Sequence, residues 1–110
     1  MTEAMYGIEF SSNEGNSGYG VVVLETGRIF GGDSSFLYIG HYHVDDGMLI
    51  AEVKCTNDRK ILDSIFPGLD AFTVQVSGAP SGEEFVLKGH VVGDHARKIE
   101  IKLTRRAELP

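Results

Sequence analysis

Two histidines at a spacing of two residues are the first candidates for chemistry in this chain. His41 and His43 lie in a strand-like segment, so both imidazoles would project from the same side of the strand. That spacing can place two nitrogen ligands on one metal ion, and His90 and His95 could complete the set. If the opposite register, which contains Tyr42, faces the core, the histidines face solvent instead. We therefore predict no metal and no cofactor, and keep a metal site at His41 and His43 as the alternative.

The acidic pair Asp45 and Asp46 stands directly before Gly47. Asp-Gly is a hairpin signal, and aspartates at such positions usually support the turn through the backbone. The two carboxylates should project in different directions, which disfavours calcium binding and acid–base catalysis. Asp33, which follows two glycines, is expected to accept backbone N–H bonds in a second bend.

The other reactive side chains lack the neighbours that catalysis requires. Cys55 has no histidine nearby in the sequence and lies in an apolar register, so we expect a buried small hydrophobic residue. Ser34 and Ser35 lie beside no base or nucleophile-elbow motif. The sequence therefore predicts a protein that is not an enzyme.

Length and charge limit the class of protein further. A chain of 110 residues with 42% apolar residues is sufficient for one soluble domain. The net charge of −6 argues against direct nucleic-acid binding, since phosphate backbones would be repelled. No apolar run approaches a membrane span, the first five residues do not resemble a signal peptide, and a single cysteine fits a reducing compartment. We expect a bacterial, cytoplasmic protein that does not bind membranes.

Alternation of apolar and polar residues predicts the elements that position these groups. About eight segments alternate with period two and are separated by turn signals, which indicates an all-β, up-and-down antiparallel barrel. Residues 57–66 show helical spacing after a capping residue and predict one short helical insertion. We expect residues 1–104 to form a single barrel domain and residues 105–110 to form a flexible C-terminal tail.

The barrel interior admits two interpretations. An eight-stranded barrel is just wide enough either to be filled by its own side chains or to hold one small ligand. A filled or nearly filled interior is the preferred prediction. A cavity, if present, is expected to be lined by inward aromatic residues: Tyr6, Tyr38, Tyr42, Phe72 and Phe85.

Four motifs in the first half of the chain carry a family resemblance. They are MYGIEFSSNE at residues 5–14, GYGV at 18–21, GRIFGGD at 27–33 and YIG at 38–40. In this order they resemble the GrlR family, whose founding members are negative regulators of type III secretion genes in enteric pathogens. The resemblance extends from about residue 5 to residue 53, and beyond that it rests on strand pattern and length.

The resemblance implies a calycin-like, lipocalin-related barrel that forms a homodimer. Founding members sequester a basic DNA-binding activator with an exposed acidic loop, which corresponds here to residues 44–47 and retains two of four acidic positions. Asp45 and Asp46 are therefore the expected partner-binding residues of a non-enzymatic regulatory or protein-interaction module. The alternative function is a lipocalin-type barrel that binds a small apolar ligand.

Overall fold

Antiparallel strands, each paired with the next along the chain, form the wall of a closed barrel. The computed structural model describes residues 2–110, and within them eight strands are present. They are β1 (Ala4–Ser12), β2 (Ser17–Glu25), β3 (Arg28–Gly32), β4 (Phe36–Asp45), β5 (Met48–Asn57), β6 (Ala71–Gly78), β7 (Glu84–Val91) and β8 (Asp94–Ala107). Pairing of β1 with β8 closes the barrel and leaves no free sheet edge. The predicted all-β, eight-stranded up-and-down barrel is confirmed.

The up-and-down order divides the connections between two ends of the barrel. The hairpin end carries the β2–β3, β4–β5 and β6–β7 connections together with both termini, and the loop end carries the other four connections. At the hairpin end, Asp46 and Gly47 have φ values of 51° and 78°. Two successive positive φ angles are typical of the tight turn whose twist matches a β-hairpin. The predicted Asp-Gly hairpin is therefore present.

Residues 58–70, which connect β5 to β6, form an irregular loop, so the short helix predicted over residues 57–66 was wrong. The buried Asn57 side chain accepts the N–H of Lys60 at 3.1 Å and donates to the carbonyl of Leu62 at 3.0 Å. The Ser35 hydroxyl, from the β3–β4 connection, accepts the N–H groups of Ile61 and Leu62 at 3.1 and 3.2 Å. These side chains bind the backbone groups that helical hydrogen bonds would otherwise use.

The same loop covers part of the loop end of the barrel. Ile65 and Phe66 are buried, and the ring of Phe66 packs edge-on against Phe72 with centroids 5.2 Å apart. The carbonyl of Ile65 accepts hydrogen bonds from Ser12 at 2.9 Å and from Asn16 at 3.3 Å. The helical spacing of the apolar residues in this segment thus reflects a plug that packs into the barrel rather than a helix.

The C-terminal strand is longer than the sequence predicts. β8 continues to Ala107, with Arg105 paired to Tyr6 and Ala107 paired to Met5. The segment expected to be a tail from residue 105 is therefore strand through residue 107, since β1 offers it a partner. Among residues 2–110, no helix has the length and apolarity needed to cross a bilayer.

Candidate functional site

The barrel interior contains an apolar cavity that opens at the loop end. Its volume is about 120 Å³, and its wall is formed mainly by aliphatic and aromatic side chains from the strands. The exposed residues Ser17, Tyr19, Leu62 and Asp63 also line it, so it opens between the start of β2 and the β5–β6 loop.

The hairpin end of the interior is closed by packing. Tyr6 and Phe85 meet edge to face with ring centroids 5.6 Å apart, and the neighbouring Leu49 is fully buried. Tyr42 is partly buried and packs against this core. Of the five residues expected to line a cavity, Tyr38 and Phe72 do so, whereas Tyr6, Tyr42 and Phe85 are absent from its wall. Those three were wrong as cavity residues because they fill the opposite end of the barrel.

Two glycines of β2 make room for the aromatic residues at the cavity. A Cβ atom on Gly18 would lie 2.6 Å from the ring of Phe10, and one on Gly20 would lie 3.0 Å from the ring of Tyr38. The two rings meet edge to face at a centroid distance of 6.0 Å. The Gly-x-Gly motif therefore has a steric role, because any side chain at either position would displace a ring.

A carboxylate–phenol pair supplies the polar edge of the cavity. Asp33 accepts the N–H groups of Ser35 at 2.8 Å and Phe36 at 2.7 Å through Oδ1, which confirms its predicted role in the bend. Its Oδ2 atom accepts the hydroxyl of Tyr38. Burial, and secondly the hydrogen bond to Asp33, raises the pKa of the Tyr38 phenol well above its usual range. Tyr38 therefore stays neutral and donates a hydrogen bond to Asp33.

Cys55 also lies in the cavity wall, as a buried thiol. Burial, with a smaller contribution from the charge of Asp33, raises its pKa to about 12. A thiol with so high a pKa is a poor nucleophile at neutral pH. The prediction that Cys55 is a buried small residue is confirmed.

The acidic hairpin lies at the other end of the barrel from the cavity mouth. Asp45 and Asp46 are exposed at the β4–β5 turn. Val44, whose register faces inward, is 51% exposed, so the tip of this hairpin extends beyond the packed interior. Both carboxylates are exposed to a partner, but they lie away from the cavity mouth and do not form one site with it.

The histidines form two separate pairs. His41 and His43 are exposed on the outer surface of β4, in the register opposite to the buried Tyr38. His90 and His95 stack on each other near the β7–β8 turn, at the loop end, with ring centroids 4.0 Å apart. Within residues 2–110, no three histidine, cysteine or acidic side chains are grouped so that they could hold a metal ion.

One side of the outer wall is apolar, a feature that the sequence analysis did not resolve. We define the apolar face as the outward side chains of Met5, Val21, Val23, Phe30, Leu37 and Ile39. Pairing of β1 to β4 places Met5, Val23, Phe30 and Ile39 in one row across four strands. Ile39 is 58% exposed and Leu37 48% exposed. The sequence signal for this face was the run Val21-Val22-Val23, which places apolar residues on both sides of β2.

The adjoining part of the wall, on β1, β7 and β8, carries paired charges. We define the charged face as the outward side chains of Glu9, Glu84, Lys88, Glu100 and Lys102. Lys102 lies 3.5 Å from both Glu9 and Glu84, and Lys88 lies 3.6 Å from Glu100. The carboxylates of Glu84 and then Glu9 raise the pKa of Lys102. This face has the polar exterior expected of a solvated barrel wall.

Fold and site together define a small closed β-barrel whose interior contains a cavity and whose exterior has an apolar face and a charged face. No protein-family model matches this chain, and no curated protein matches it. Among solved structures, the chain is similar to a redesigned β-barrel, with 16% sequence identity and a TM-score of 0.49. The alignment covers 94% of this chain and 90% of that chain. A likeness at this level carries no information about function.

Proposed function

We propose that this protein is a non-enzymatic interaction module that forms a homodimer through the apolar face and binds a basic protein partner through Asp45 and Asp46. The observation that carries the proposal is the contiguous row of outward apolar side chains across β1 to β4, in which Met5, Phe30 and Ile39 are exposed and Val23 is half-buried. Single exposed apolar residues are common, but contiguous apolar surface on a barrel wall is typical of an interaction site.

A second copy of the chain is the occupant that best fits this face. In a two-fold dimer the same patch is used twice, so its border must offer both signs of charge. Glu25 and Arg28 form an ion pair at one border, while Glu52 and Lys54 are exposed along β5 at the other. Arg28 also lies over the ring of Phe30, 5.6 Å from its centroid. A two-fold arrangement can match these opposite charges around an apolar centre.

The acidic hairpin supplies the second contact. Asp45 and Asp46 are exposed on a projecting turn of a chain with a net charge of −6, which favours encounter with a positively charged protein. The resemblance to the GrlR family supports the same partner class, since founding members sequester a basic DNA-binding activator. With two acidic positions in place of four, the hairpin would contribute less electrostatic attraction than in those members.

Sedimentation of the full chain tests the homodimer. We expect the wild type to sediment as a dimer and the double variant Phe30→Glu with Ile39→Glu to sediment as a monomer with unchanged circular dichroism. Val86→Glu, an exposed apolar position near the charged face, is the matched control and should remain dimeric. A monomeric wild type at the highest soluble concentration, or a double variant that still dimerises, would refute the proposal.

A further inference from the structure

The interior cavity has no part in the proposed interaction function and requires its own explanation. Protein interiors are close-packed and rarely keep voids larger than a water molecule. Here a void of about 120 Å³ remains at one end of a barrel whose other end is closed by Tyr6 and Phe85. Its opening beside Leu62 and Asp63 gives a molecule from solvent a route of entry.

The volume limits the ligand to the size of about one aromatic ring. An engineered apolar protein cavity of about 150 Å³ stays free of water and binds benzene. Pockets for larger ligands usually measure about 300–1,000 Å³. Steroids, haem-like macrocycles and long acyl chains are therefore too large, whereas a single ring can contact Phe10, Tyr38 and Phe72 in the wall.

The charge of the wall excludes anions. The two ionisable carboxylates that line the cavity are Asp33 and Asp63, and no lysine, arginine or histidine of the described chain lines it. An acidic ligand would meet like charge without a compensating cation in an apolar environment, which is strongly unfavourable. A neutral molecule does not meet this penalty.

The hydrogen bonds at the polar edge of the cavity favour a ligand that carries a hydrogen-bond donor. The proton of the Tyr38 hydroxyl is used by Asp33, whose carboxylate also accepts the N–H groups of Ser35 and Phe36. What remains for a ligand at this pair is acceptor capacity, on the Tyr38 oxygen and on Oδ2 of Asp33, since a phenolic hydroxyl both donates and accepts and a carboxylate oxygen accepts more than one hydrogen bond. From these observations we infer that the cavity binds a small neutral aromatic molecule carrying one O–H or N–H donor.

A nuclear magnetic resonance titration of the full chain with three probes of similar size tests this inference. Phenol carries the donor, fluorobenzene lacks it, and benzoate carries a negative charge. We expect saturable shifts in the signals of Phe10, Tyr38 and Phe72 with phenol, an affinity at least about fivefold weaker for fluorobenzene because it makes no hydrogen bond, and no saturable shift with benzoate. Absence of saturation with phenol, or equal or tighter binding of either other probe, overturns the inference.

A cavity-filling variant locates the site. Ala51 is buried in the cavity wall, so Ala51→Leu should lower phenol affinity by about tenfold or more. Ala71→Leu makes the same change at an exposed position of β6 outside the wall and should leave the affinity unchanged. If Ala51→Leu does not fold, Val53→Ile adds one methylene to the same wall and should weaken binding in the same direction. Undiminished binding to the folded filling variant would place the ligand elsewhere and contradict the inference.

Discussion

The two sides of the barrel wall differ although they enclose the same interior. On the charged face, Lys102 and its neighbours Glu9 and Glu84 form cross-strand ion pairs between β1, β8 and β7. On the apolar face, equivalent outward positions are occupied by residues such as Phe30 and Ile39, which are 37% and 58% exposed. An antiparallel wall with one solvated surface normally alternates apolar and polar residues, as the charged face does.

The contrast shows that outward positions of this barrel wall can carry charged side chains. Inward residues such as Val22 and Ile29 are buried behind β2 and β3. On the adjoining charged face, inward residues such as Leu103 and Ile99 are equally buried behind charged outward side chains. The apolar face therefore has the composition of a surface that is covered by another molecule, which is the basis of the proposed homodimer.

The largest expected effect is unfolding of the barrel at alkaline pH, which would abolish both faces at once. Cys55 and Tyr38 are buried in their neutral forms, and the pKa of Cys55 rises from 9.0 to about 12. The unfolded chain ionises first as pH increases, so stability is complete below about pH 9 and decreases toward pH 12. For Cys55 alone the loss is on the order of 4 kcal/mol.

Urea unfolding at intervals across this pH range, with sedimentation of the same samples, measures the effect. Cys55→Ala should flatten the pH dependence of the free energy of unfolding. In the wild type, the dimer and the fold should be lost over the same pH range. Stability that stays constant across the alkaline range would contradict this assignment of buried neutral groups.

Truncation of the apolar face at its centre should weaken self-association. Phe30→Ala removes an aromatic side chain that lies between Val23 and Ile39 in the row. Loss of a central aromatic anchor typically costs about 1–2 kcal/mol, which is about a tenfold increase in the dimer dissociation constant. Val86→Ala is the matched truncation near the charged face, and equal effects of both variants in sedimentation equilibrium would remove the distinction between the faces.

The sequence predicts those features that depend on local patterning. Period-two alternation places His41 and Tyr38 on opposite faces of β4, and the turn residues place Asp33 and Asp46 in their bends. Closure of the barrel follows from eight consecutive strands with short connections. Apart from closure, which pairs β1 with β8, each of these inferences needs only neighbouring residues.

The features that sequence reasoning missed depend on distant contacts. Residues 57–66 form no helix because Ser35, from another connection, binds the N–H groups of Ile61 and Leu62. Which aromatic residues line the cavity depends on which end of the barrel is closed, and alternation does not determine that. The apolar face becomes visible only when strand pairing places Met5, Val23, Phe30 and Ile39 side by side.

Neutralising the acidic hairpin should change partner capture without changing the dimer. Asp45→Asn with Asp46→Asn removes two exposed charges at the hairpin end, outside both faces. Association with a basic protein partner should slow by up to about tenfold at low salt and become less dependent on salt. Stopped-flow or surface-based kinetics measures the rates, and sedimentation should show an unaltered dimer. Association rates equal to those of the wild type at low salt would exclude Asp45 and Asp46 as the partner-binding residues.

The smallest effect is expected on the charged face. Lys102 is partly exposed, and exposed ion pairs contribute little to stability. Lys102→Ala should shift the thermal midpoint by a few degrees at most and leave self-association unchanged. Thermal unfolding and sedimentation of this variant check both expectations, and a weakened dimer would show that the charged face participates in the interface.

Backbone amide spectra recorded over a dilution series test the difference between the two faces most directly. Signals of Val21, Phe30 and Ile39 should shift together as dimers dissociate, whereas signals of Glu84 and Lys102 should stay constant. Concentration-independent spectra, or shifts confined to β7 and β8, would contradict the assignment of the apolar face as the dimer interface.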